Sequence, residues 1–233
     1  MLGSRRKAAR DKSRFVVDQW KSYMTEHNTF VLATHNATKV AEYRYITGLV
    51  LPGGWTPVAY DGPEPVEDGL SFRDNALIKA RIAAAHSGLP AVADDSGLCV
   101  DVLGGAPGVF SAYWAGHRKD LIANRNLLLD QLSDVADPYR TAQFTSALAL
   151  VDPRGTEFVA EDHWPGRLAL TPAGDDGFPP YDSIFIPDGQ RPGHECTVAE
   201  WDTEERYRHS HRARALETLV PALATLADVH TCR

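Results

Sequence analysis

The stretch Leu89-Pro90-Ala91-Val92-Ala93-Asp94-Asp95-Ser96-Gly97-Leu98 decides how the rest of the chain is read. Small apolar residues after a proline read as a short buried strand, and the strand ends on two carboxylates. In α/β sheets ligands collect at the carboxyl ends of strands. Adjacent side chains in extended backbone point to opposite faces, so Asp94 and Asp95 are expected to do different work. One can ligate a hard cation or deprotonate water while the other braces a loop or helix. Asp-Asp-Ser-Gly is also good turn chemistry. Residues 98–103 are expected to return as the strand's partner, and a plain acidic turn is the competing reading of the two carboxylates.

Upstream, Ser71 reads as a helix N-cap with Asp74 in a capping-box-like position, and the helix should run from 72 to about 87 and close at Gly88. Asn75 and Lys79 lie four apart on it, on a face shared with Phe72, Ile82 and Ala83. A lysine among apolar neighbours either snorkels outward or meets an anion. Glu67 and Asp68 sit in the loop before it. Further upstream, residues 29–34 read as a buried strand that enters a helix over 39–46 through Asn36, Ala37 and Thr38. A helix N-terminus suits phosphate. Lys39 opposes the dipole there unless an anion meets it, with Thr34 and Asn36 adding neutral hydrogen bonds. The segment lacks the glycines of a P-loop and of a dinucleotide fingerprint, which speaks against a nicotinamide-dependent oxidoreductase.

Downstream, the pattern predicts a tight turn at 104–108 and a helix over 120–132. A hairpin of 141–151 and 156–161 follows, then strands at 164–170 and 183–186. A final helix over 210–226 begins at Ser210. That puts His211 and Arg212 in its first turn, with Arg206 and Arg208 just before, a cluster of cations at the positive end of a dipole. Solvated basic surface is the ordinary alternative. His209 and His211 are not read as a zinc pair, because no further His/Cys ligands accompany them. The whole is mixed α/β. It divides into an N-terminal extension over 1–27, a single domain over 28–228 and a tail over 229–233. In the extension, Val16, Trp20, Tyr23 and Met24 recur at helical spacing and suggest an amphipathic accessory helix.

The net charge of −7 gives no electrostatic footprint for a nucleic-acid polymer, although a site can be locally basic on an acidic protein. Cys99, Cys196 and Cys232 are widely separated and form no disulfide framework, which points to a reducing cytoplasm. No apolar run is long enough to cross a bilayer.

Three runs in order, Ser71 to Arg81, Leu89 to Leu98 and Val102 to Ala112, make the chain resemble the inosine triphosphate pyrophosphatase family over about residues 29–223. These are the house-cleaning enzymes for non-canonical purine nucleoside triphosphates. The resemblance implies an elongated, two-lobed α/β fold with a central curved mixed sheet flanked by helices and a nucleotide cleft between the lobes. It also implies a homodimer and hydrolysis of ITP, dITP or XTP to the monophosphate and pyrophosphate. Carried over by position, Thr34, Asn36 and Lys39 would hold the triphosphate, and Asn75, Lys79 and Ser96 would contact substrate. Glu67 and Asp95 would serve the metal, Mg2+ or Mn2+, with Asp95 the general base and Asp94 its partner. Phe178 would stack on the base, Tyr181, Asp182 and Arg206 would contact the substrate, and His211 and Arg212 would read its 6-oxo group.

The chain departs from the family's pattern in three places. His35 and Thr38 stand where small residues are usual. Phe178-Pro179-Pro180-Tyr181-Asp182-Ser183 replaces a Phe-Gly-Tyr/Trp-Asp-Pro run. Arg206 and Ala213 replace a lysine and a glycine. Most of these lie around the base, so the same reaction on a modified or pyrimidine nucleotide stays open as an alternative. So does a non-catalytic nucleotide-binding protein.

Overall fold

The computed structural model describes residues 29–51, 55–174 and 179–231. The expected accessory helix over 1–27 and the stacking residue Phe178 lie outside the described residues. Six strands, β1 (Thr29–Leu32), β2 (Thr56–Ala59), β3 (Ala91–Val100), β4 (Thr141–Val151), β5 (Glu157–Leu168) and β6 (Phe185–Pro187), form one sheet in the order β2-β1-β3-β4-β5-β6. β1 pairs in parallel with β2 and β3, and the remaining pairs are antiparallel, so the sheet is mixed as expected. Five α-helices flank it: α1 (Ala37–Val50), α2 (Phe72–Ser87), α3 (Leu121–Gln131), α4 (Thr203–His209) and α5 (His211–Thr231). None of the described helices is long and apolar enough to cross a membrane.

The period-2 alternation of the strands sorts residues by size between the two faces. Phe30, Leu32, Val92, Leu148 and Leu150 point to the face covered by α1 and α5, against Tyr43, Ile46, Leu216 and Leu219. Val31, Ala91, Ala93, Ala147 and Ala149 point to the other face, where α2 brings Ala76, Ala80 and Ala83. Small residues on both sides of that second interface let the helix approach the sheet closely. A third cluster, with Leu98, Leu128, Phe144, Trp164 and Phe185, packs α3 against the far end of β3–β5.

Caps set the helix starts. Asn36 accepts the Thr38 and Lys39 amides at 2.9 and 3.2 Å. Ser71 accepts the Asp74 amide at 3.1 Å and donates back to its carboxylate at 2.7 Å. Gly88 closes α2 in the left-handed region at φ 69°.

Three expectations are corrected. The Asp-Asp-Ser-Gly segment is not a turn: β3 runs unbroken through it, with Asp94 opposite Leu148, Asp95 opposite Ala147 and Gly97 opposite Thr145. β4 is the antiparallel partner that residues 98–103 were expected to provide, because both aspartates find cations and need no solvent-facing turn. Residues 164–168 form no strand of their own; they continue β5 in register with β4. Finally, residues 203–209 form α4, which the sequence reading passed over. Asp202 caps it, Glu204 and Glu205 lie in its first turn, and Arg206, Arg208 and His209 lie in its last. The arginines thus sit at the favourable, negative end of one dipole as well as ahead of the next.

Candidate active site

Alternation along β3 carries the size-sorted faces into the polar residues. Asp94 falls on the Val92 face, toward α1 and α5, and Asp95 falls on the Ala91/Ala93 face, toward α2. Asp94 is buried and meets Lys39 Nζ at 2.8 Å and Arg212 Nε at 3.1 Å. It also accepts from Ser146 Oγ at 2.8 Å and from Ser96 Oγ at 3.2 Å. Burial alone would raise its pKa, but the Lys39 and Arg212 charges outweigh it and hold the carboxyl well below the usual range. Arg212 also donates to Ser96 Oγ at 2.8 Å and pairs with Glu42 at 3.3 Å.

On the other face Lys79 Nζ bridges Asp95 Oδ1 at 2.8 Å and Glu67 Oε2 at 3.0 Å. Asn75 donates to Asp95 at 3.3 Å and accepts the Gly69 amide at 2.9 Å, which fastens the loop carrying Glu67 to the strand. Burial, against the pull of Lys79 and with help from nearby Asp94, pushes Asp95 up to about 6. For Glu67 the Lys79 ammonium outweighs burial, and its pKa lies below the usual value. The carboxylates of the helix-preceding loop and of the strand therefore converge on one ammonium, that of Lys79.

Thr34, Asn36, Lys39, Glu67, Asn75, Lys79, Asp94, Asp95 and Ser96 all line one cavity of about 760 Å³. The Asn36 cap occupies the Thr38 and Lys39 amides. The cradle is therefore made more by side chains than by free helix amides. Sequence reasoning missed several lining residues: Tyr60, Glu64, Tyr113, His117 and Lys119. His35, noted only as bulky, lines the cavity too and stacks on Tyr60 with centroids 5.3 Å apart.

The expected base-reading residues form a second group beside the third core cluster. Asp182 and Arg206 are an ion pair at 2.7 Å, and burial, opposed by Arg206, raises Asp182 to about 6. His211 lies flat on Phe144, with centroids 4.9 Å apart and ring planes 10° apart. Burial, reinforced by Arg212, holds its pKa well below the ordinary imidazole value, so it is neutral. Its Nδ1 is buried without a hydrogen-bond partner among the described residues, which is costly unless something completes it. Tyr181 donates its hydroxyl to Ser111 O at 3.1 Å. Arg212 and Ser96 connect this group to Asp94.

A family model described as the Ham1 family matches residues 30–222. A dITP/XTP pyrophosphatase of Leifsonia xyli is 54% identical over 197 residues, covering 84% of this chain and 96% of the relative. Another, from Nocardia farcinica, is 48% identical over 202 residues, covering 85% and 96%. Among solved structures, a nucleoside-triphosphatase / dITP/XTP pyrophosphatase from Mycobacterium abscessus is similar at 48% identity and TM-score 0.65, over 83% of this chain and 99% of that one. A HAM1 protein from Coxiella burnetii is similar at 36% identity and TM-score 0.72, over 84% and 98%.

Proposed function

This chain belongs to the Ham1 family, and on that premise we propose that it hydrolyses non-canonical purine nucleoside triphosphates, dITP, ITP and XTP, to the monophosphate and pyrophosphate. One observation carries the reading: the Glu67–Lys79–Asp95 chain opens into the same cavity as Thr34, Asn36 and Lys39. The relatives' names, dITP/XTP pyrophosphatase, favour a purine over the pyrimidine alternative.

The donor set fits a hard divalent cation. Glu67 and Asp95 offer carboxylate oxygens, and the charged lining comprises Glu64, Glu67, Asp94 and Asp95 against Lys39, Lys79 and Lys119. Four carboxylates against three ammoniums is a deficit of one positive charge before a polyanion enters. When bound there, Mg2+, with Mn2+ as a substitute, would neutralise phosphate oxygens as a Lewis acid. The chain's own groups do the rest. Asp95 takes a proton from the attacking water, and Lys79 and Lys39 meet the phosphates. Asp94 holds Lys39 and Arg212 in place. The neutral His211 and the Asp182–Arg206 pair confront the base, whose 6-oxo group accepts a hydrogen bond where the 6-amino group of adenine would donate. The reducing cytoplasm and a homodimer complete the reading. Three widely spaced cysteines support the first, and the exposed Phe110, Leu121 and Ile122 support the second.

A panel of dITP, XTP, ITP, ATP, GTP, CTP and dUTP with identification of the released phosphate tests this. Pyrophosphate should be the product, with kcat/KM for dITP and XTP about 100-fold or more above ATP and GTP. Release of orthophosphate, or equal rates across the panel, would refute it. Asp95→Asn should lower kcat by about 10²–10⁴. A full-rate variant would remove Asp95 as the base.

A further inference from the structure

Lys39 and Lys79 line the cavity with their charges already engaged. Lys39 is held by Asp94 at 2.8 Å, and Lys79 by Asp95 at 2.8 Å and Glu67 at 3.0 Å. Lys119 lines the same cavity and has no carboxylate partner among the described residues. A phosphate can meet this ammonium without first displacing an ion pair.

Its placement is built rather than incidental. Lys119 has φ 53°, and no other described residue besides glycine has positive φ. A side chain there strains the backbone, which glycine would not. It also immediately precedes Asp120, whose carboxylate caps α3 by accepting the Ala123 amide at 2.9 Å. A cation beside the positive end of a helix is locally unfavourable as well. Both penalties are offset if an anion is bound.

The loop that presents Lys119 is tied down at its root. Asn124, fully buried on α3, accepts the Ala115 amide at 2.6 Å and donates to Ala112 O at 2.9 Å and Ser111 O at 3.3 Å. Tyr113 and His117 stack across the loop with centroids 5.7 Å apart and planes at 16°, and Gly116 N donates to Tyr113 O at 2.8 Å. Little ordering entropy is left for the loop to lose when a ligand arrives.

We propose that Lys119 is a substrate-binding residue that contacts the phosphate chain of the nucleotide and favours triphosphates over monophosphates. The inference rests on the reading of this cavity as the triphosphate site. It assigns to the loop between the 3₁₀ segment Gly108–Tyr113 and α3 a part in recognition.

The test titrates wild type, Lys119→Met, Lys119→Arg and Lys119→Gly with inorganic tripolyphosphate and with inosine monophosphate, in the presence of Mg2+. It then measures turnover of dITP. Lys119→Met should bind tripolyphosphate about tenfold more weakly and raise KM for dITP to a similar extent, with kcat within about twofold. Affinity for the monophosphate should stay within about twofold. Lys119→Arg should recover most of the tripolyphosphate affinity. Lys119→Gly relieves the backbone strain, so it should resist urea at least as well as wild type and still show the full loss. That separates binding from folding. Unchanged tripolyphosphate affinity in Lys119→Met, or an equal loss for the monophosphate, overturns the proposal. So does a wild-type protein that binds no tripolyphosphate. A wild type that binds tripolyphosphate through Lys119 yet turns over no nucleotide supports this inference and sinks the hydrolase reading instead.

Discussion

Asp94 receives two cations and two hydroxyls, all between 2.8 and 3.2 Å, and three of these four donors meet its Oδ2. Asp95, one residue on, has one ammonium and one amide for company and borders the cavity. The division of labour expected for adjacent acids in extended backbone therefore has a physical form: Asp94 holds Lys39 and Arg212 on one face, and Asp95 pairs with Lys79 on the other. Replacing Asp94 with Asn keeps the shape but takes from Lys39 its carboxylate partner and leaves Arg212 with Glu42 alone. Breaking such a cluster typically costs about 3–5 kcal/mol, and somewhat less is expected here because Lys39 keeps some contact with solvent. A clear fall in the urea midpoint of Asp94→Asn, with KM raised more than kcat is lowered, is the expected outcome. Unchanged stability would mean that the cluster is not the anchor it looks to be. The opposite facing of the two acids was legible in the sequence, because it follows from a period of two. Their partners were not. Lys39, Lys79 and Arg212 come from three helices remote in the chain, and only the assembled fold decides which acid each one meets.

At the scale of elements, some helix boundaries could be read from single residues. Ser71, Gly88 and Asp120 each do the local job that their chemistry prescribes, and long-range packing does not overrule them. The continuous β3 was hidden for the converse reason. Asp-Asp-Ser-Gly has turn propensity, and tertiary pairing overrides it. Gly97 shows what that pairing requires. A Cβ there would collide with Ser111 and with the backbone of Gly108, because the 3₁₀ segment lies directly on the strand. Ser111 bonds the Leu98 amide at 2.9 Å across this contact. Gly97→Ala should therefore destabilise by about 1–3 kcal/mol through overpacking and shift the 3₁₀ segment that lines the cavity. Its effect on KM should exceed that of an alanine at Gly48, where the added Cβ meets nothing. The β4–β5 turn offers a pH test. Asp152 is buried and accepts the Arg154 and Thr156 amides at 2.8 and 2.9 Å, as well as the Arg154 guanidinium. Burial would raise its pKa, but these donors outweigh it and the folded value is depressed. Its stabilising contribution is then present above the unfolded pKa of about 3.9 and is lost as pH falls through the folded value. Wild type should exceed Asp152→Asn by about 1–2 kcal/mol at neutral pH, with the gap closing on acidification toward pH 3. A constant gap would place the effect elsewhere.

On the scale of the whole molecule, an enzyme for a polyanion carries a net charge of −7 and places four carboxylates against three ammoniums in the cavity itself. That balance repels a free triphosphate at long range. Composition disclosed the sign of the overall charge. It could not disclose the local deficit, which arises because β3, α2 and the loop carrying Glu67 bring their acids to one place. A divalent cation held by Glu67 and Asp95 would reverse the deficit and neutralise charge on the phosphates. Chelation should accordingly abolish dITP turnover and weaken binding of inorganic tripolyphosphate by an order of magnitude or more, while leaving the urea midpoint unchanged, because Lys79 already satisfies both carboxylates without metal. Adding Mg2+ back should restore both activities, and Mn2+ should substitute. Glu67→Gln should need several-fold more Mg2+ for half-maximal rate. If tripolyphosphate binds equally well with and without chelator, the cavity's charge balance is not what governs recognition, and the assignment of Glu67 and Asp95 as the residues that would hold the metal fails with it.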